Sequence, residues 1–83
     1  MPTVLREPPL RAVLDPNDHR PAHAHVMGPG AEAVFDLRCP LAPPLLRESL
    51  GFSATQIGRI RRWLTQELKL LCERWRNLHG YYH

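Results

Sequence analysis

Apolar residues recur every three or four positions through the C-terminal third of the chain, at Ile57, Ile60, Leu64, Leu68, Leu71, Trp75 and Leu78. That period places side chains on one face of an α-helix, and it predicts a single long amphipathic helix over residues 53–79. Ser53 is its expected cap: its hydroxyl can accept from the backbone N–H of Gln56, Gln56 can reach back, and Phe52 can pack on Ile57 across the cap. The far end is marked by His79 in the last turn and by Gly80, the residue type that best tolerates a left-handed terminating conformation. Tyr81 would then fold back toward Trp75.

The first half of the chain alternates instead. Residues 3–5 and 10–14 are short β-type runs on either side of Pro8 and Pro9, with Leu10, Ala12 and Leu14 directed to one side, so a first hairpin is predicted with the prolines at its turn or edge. Residues 15–21 collect Asp, Pro and Asn and read as a surface loop. Residues 23–27 and 31–37 flank Gly28, Pro29 and Gly30 and give the strongest hairpin signal. Two registers compete there. One sets Ala24 opposite Ala33 and His25 opposite Glu32, turning His23 and His25 away from Phe35. The other sets His25 opposite Ala33 and buries both imidazoles, which would need polar partners; the first is preferred.

Between these halves, prolines break the periodicity of residues 38–44, and residues 45–50 are expected to make a short helical turn ending at Gly51. Antiparallel strands followed by a helix, without β-α alternation, predict an α+β domain: a sheet of three to four strands packed on one long C-terminal helix. The expected division is residues 1–37 for the sheet, 38–52 for the connector and 53–79 for the helix, all within one domain.

Size changes this picture. With only 83 residues, a domain has a thin stability margin. About 25 helical residues would run roughly 37 Å, against a radius of gyration of about 12 Å for a compact chain of this length. The helix is therefore expected to project beyond its sheet and to need a partner or a second copy. Residues 53–83 carry six Arg and Lys against two Glu, while residues 1–52 are near balance; that basic helix suits an acidic partner or nucleic acid, or is a solvated face. Cys39 and Cys72 lack the close spacing of zinc sites or disulfide frameworks and are expected as reduced thiols in a cytoplasm, Cys72 packing as a small apolar residue. No signal-peptide pattern and no membrane-spanning run is present, so the chain is expected to be soluble and cytoplasmic.

Several segments together resemble a known family. Met1-Pro2-Thr3-Val4-Leu5-Arg6, Pro21-Ala22-His23-Ala24-His25-Val26, Glu32-Ala33-Val34-Phe35, and Gly51-Phe52-Ser53 ahead of an Arg-rich helix ending near a Trp are similar to a bacterial family described as domain of unknown function 4160. The resemblance spans nearly the whole chain. It implies a small α+β protein, often encoded beside a second small domain in gene pairs organised like toxin–antitoxin modules, with no settled activity. The chain departs from the family pattern in residues 10–14, which replace an aromatic-rich strand, and in its proline-rich connector.

Candidate chemistry sits in two places. His23 and His25, two apart on a strand, share a face and could ligate a metal with His19 or Asp18, or His25 could act as general acid or base near Glu32 with an Arg steadying a phosphate; alternatively both imidazoles are structural or solvated. On the helix, Arg59, Arg62, Lys69 and Arg76 form a stripe that could meet phosphates or an acidic partner, or pair locally with Glu73. Trp75 belongs to the core and Trp63 flanks it, as an interface anchor or as core edge. Gly58 inside a helix suggests close approach of another backbone. The leading expectation is a non-enzymatic interaction module that binds a cognate small protein, or itself through the helix, with no cofactor and no membrane. The alternatives are an RNA-binding or RNA-cleaving toxin using His23, His25, Glu32 and helix arginines, and a metal-binding regulator.

Overall fold

The computed structural model describes residues 3–17, 19, 21–41 and 43–80; Asp18 and Tyr81, to which a metal ligand and a folded-back ring were assigned, lie outside the described residues. Five strands come first, β1 (Thr3–Glu7), β2 (Leu10–Val13), β3 (His23–Gly28), β4 (Ala31–Asp36) and β5 (Leu45–Leu50), followed by α1 (Ala54–Gln66) and α2 (Leu68–His79). The strands form one antiparallel sheet in chain order, β1-β2-β3-β4-β5. The fold is α+β as expected, with more strands and one more helix.

Alternation builds the core. Ala12, Ala24, Val26, Ala33 and Phe35 share the sheet face that packs with Ile60, Leu64, Leu68, Leu71 and Trp75 of the helices. The central hairpin turns on Pro29 and Gly30, the pair a type II turn favours: proline fixes a negative φ, and Gly30 supplies φ +67°. Ala24 opposes Phe35 and His25 opposes Val34, so the pairing is shifted two residues from the expected one. A shift of two preserves the faces, and His25 still points away from Phe35.

The expected helical turn at residues 45–50 is a strand. A helix of so few residues is marginal by itself, whereas pairing with β4 satisfies that strand's backbone groups. Gly51 is no helix cap: at φ +91°, a Cβ on it would stand 2.5 Å from the Gly30 carbonyl oxygen, so the chain turns there only because the side chain is missing.

The single long helix is likewise corrected to two. Ser53 and Gln56 make the reciprocal capping bonds, and Gly80 ends α2 in the left-handed conformation at φ 85°. Between them Glu67 leaves helical geometry at φ −103°, ψ 12°. The Thr65 hydroxyl donates to the Arg61 carbonyl at 2.7 Å, a back-bond that bends helices. The hydrogen bonds Glu67 N–H to Trp63 O and Leu71 N–H to Glu67 O span the bend.

The projecting apolar stripe is corrected too. Ile60, Leu64, Leu68, Leu71 and Trp75 are buried by the chain's own sheet, and what remains outside is Leu78, 42 % exposed, with Ile57 and Trp63 partly covered. The described residues fit within 33 × 25 × 20 Å.

Cys39 and Cys72 form a disulfide that ties the segment after β4 to α2, in place of the expected free thiols. Their separation of 33 residues gave no local signal of pairing. Closing a loop of that length removes enough unfolded-state entropy to stabilise by about 3–4 kcal/mol. Reduction, or Cys39→Ala with Cys72→Ala, should therefore lower the urea midpoint by the equivalent of about 3 kcal/mol, read from denaturation curves with and without reductant.

Gly58 has no neighbour within 4 Å of the position a Cβ would take, so the expected close approach is not made by the described chain. Gly58→Ala should stabilise by about 1 kcal/mol and raise the thermal midpoint by about 4–8 °C, measured by calorimetry.

Candidate interaction groove and histidine strand

Helical spacing brings Arg59, Arg62, Trp63 and Gln66 to one side of α1, and the turn joining β1 to β2 lies against that side. Together with Glu7, Pro8, Pro9, Leu10 and Ile60 they line a groove of ≈ 480 Å³. Pro8 and Pro9, joined by a cis peptide, form one lip. Ile60 is buried, Trp63 is half-buried, and both arginines are exposed. The groove thus pairs an indole surface with two guanidinium groups and an amide on one wall and a carboxylate on the other. Guanidinium groups offer charge-assisted hydrogen bonds to carboxylates, and an indole offers apolar contact area.

Of the expected binding residues, the structure gathers Arg59, Arg62 and Trp63. Lys69 and Arg76 are exposed on α2 and do not line the groove. Glu7, Pro8 and Pro9 were not anticipated. Their one signal was a diproline in a tight turn, and nothing local reveals that this turn packs over a helix some fifty residues on.

The histidine strand is a separate place. His23 is only 6 % exposed; its ring lies 5.2 Å from Trp75 and 5.4 Å from His25 between centroids, with Nδ1 2.8 Å from the Pro21 carbonyl oxygen. His79 stacks on Trp75 at 4.0 Å. His23 is therefore a packed residue at the end of the sheet. His25 is partly exposed, with Nδ1 3.9 Å from the Glu32 carboxylate, a contact that becomes an ion pair when the imidazole is protonated. Arg11 lies on the same sheet face, one strand away, against the Met27 sulfur. Because the helices cover the opposite face, the sheet separates His25 and Glu32 from Arg59 and Arg62. His19 is exposed in the loop between β2 and β3. Among the described residues, no three His, Cys, Asp or Glu side chains gather as a metal would require, and no helix is long and apolar enough to cross a membrane.

No curated protein and no solved structure matches the chain. A family model does, over a stretch that takes in the histidine strand, β5 and the groove wall on α1. Residues 12–76 match the family described as a domain of unknown function (DUF4160), and the chain belongs to that family.

Proposed function

We propose that this protein is a non-enzymatic interaction module that binds a cognate small protein, within a gene pair organised like a toxin–antitoxin module. The observation that carries the reading is the groove in which Arg59, Arg62 and Trp63 converge with Gln66 against the diproline turn. Trp and Arg are the residues that most often anchor interfaces, and here they stand on a capped helix held in place by its buried face. The partner segment is apolar where it meets Trp63 and acidic where it meets the guanidinium groups. The pairing with a neighbouring gene rests on the family likeness.

Co-expression with the product of the adjacent gene tests this. The native pair should co-purify, and Trp63→Ala together with Arg62→Ala should weaken binding by about 2–4 kcal/mol with the far-ultraviolet circular dichroism unchanged. His25→Ala should bind as the native chain does. Retention of full affinity in the groove variant overturns the reading.

A second reading is favoured by the His25–Glu32 contact: an RNA-cleaving protein in which His25 moves the proton and Glu32 orients it, with Arg11 rather than a helix arginine as the nearby cation. It predicts that affinity for RNA falls steeply with added salt, and that His25→Ala lowers cleavage by about a hundredfold or more without changing the folded baseline. RNA affinity that is flat from low to high salt removes it.

A further inference from the structure

The outer edge of β5 carries a pattern that its place in the sheet makes unusual. β5 is the last strand, and it exposes Leu50 at 77 % and Leu45 at 49 %. The register against β4 slips between Val34 and Phe35: Leu45 opposes Asp36, Leu46 opposes Phe35, Glu48 opposes Val34, Ser49 opposes Ala33 and Leu50 opposes Glu32, with Arg47 as the extra residue. Leu46 and Ser49 therefore share the face of Phe35, while Leu45, Glu48 and Leu50 lie on the other. The Arg47 side chain joins that second face, where it pairs with Asp36.

This bulge makes the strand self-complementary. Two copies meeting edge to edge about a two-fold axis normal to the sheet must oppose residues on the same face. In an unbroken strand Leu45 and Leu50, an odd number of positions apart, would lie on opposite faces and could never meet. With Arg47 inserted they can. When Leu45 opposes Leu50 of the second copy, Leu46 opposes Ser49, both on the core face, and Arg47 opposes Glu48, both on the outer face. Slipping by one residue either way opposes unlike faces and sets Arg47 against Arg47 or Glu48 against Glu48. A bulge and charges on an edge strand usually discourage pairing; here they discourage every register near this one and favour it, since opposite charges face each other.

We propose that β5 pairs antiparallel with β5 of a second copy of this chain, giving one sheet continuous across both, held by two Leu45–Leu50 contacts and two Arg47–Glu48 ion pairs. The strand lies at the opposite edge of the sheet from the β1–β2 turn, so the groove on α1 stays open in the dimer and the two surfaces can fail independently.

Sedimentation velocity on the full chain from micromolar to millimolar concentration is the test. A monomer–dimer equilibrium is expected for the native chain. Glu48→Arg, which sets like charges opposite, and Leu50→Lys, at a site too exposed to affect folding, should each weaken dimerisation by about tenfold or more. Mixing Glu48→Arg chains with Arg47→Glu chains should restore the dimer affinity that each variant loses alone. Monomer throughout the native series overturns the proposal, as does a native dimer whose affinity Leu50→Lys leaves unchanged, or a mixture of folded charge variants that stays monomeric.

Discussion

Everything in this molecule depends on which side chains of β3 and β4 share a face. Ala24 lies opposite Phe35 and Val26 opposite Ala33, so the covered side of the sheet is mostly small residues around one large ring. The helices supply the bulk, with Trp75, Leu64, Leu71 and Ile60 filling the space above Ala12, Ala24 and Ala33. Large against small is how a thin layer reaches close packing without voids. The same parity sends His25, Glu32 and Arg11 to the opposite face, where Val13 and Val34 flank His25 as buried residues. Architecture and candidate chemistry are thus set by one register.

What could be read from the residues was what local rules determine. The capping box at Ser53, the left-handed end at Gly80, the first hairpin across the two prolines and the face assignment of His25 all depend on neighbours within a few positions, and all stand. The strand β5 was misread because a short run rich in Leu, Arg and Glu has helical propensity, and only the waiting edge of β4 makes it extended. The break at Glu67 lies two residues past Thr65, whose hydroxyl bonds back to the Arg61 carbonyl, and a threonine is compatible with either a straight or a bent helix. The Cys39–Cys72 bond and the groove lip at Glu7, Pro8 and Pro9 depend on contacts distant in sequence.

The site residues divide along the same line. Arg59, Arg62 and Trp63 were legible because helical spacing alone puts them together, and the structure keeps them together. His23 and His25 were legible as a same-face pair, yet burial separates them: His23 packs near Trp75 while its neighbour two residues on stays accessible. Sheet and helix layers then part His25 from the arginines with which it was grouped, a separation no spacing rule encodes. The overhanging helix failed because the length estimate assumed one straight rod, whereas the helix breaks at Glu67 and its apolar stripe is buried in the core.

The contact between Gly51 and the Gly30 carbonyl oxygen bears on how this scaffold could change over time. Phe52 lies against Gly28 beside it, so the tip of the central hairpin and the entry to α1 form one joint that leaves no room for a side chain at Gly51. The helix can vary its outward residues freely, but its point of departure is pinned. Variation of the groove should consequently proceed by exchanging side chains along α1 and the diproline turn, while the angle at which that wall meets the sheet is inherited unchanged.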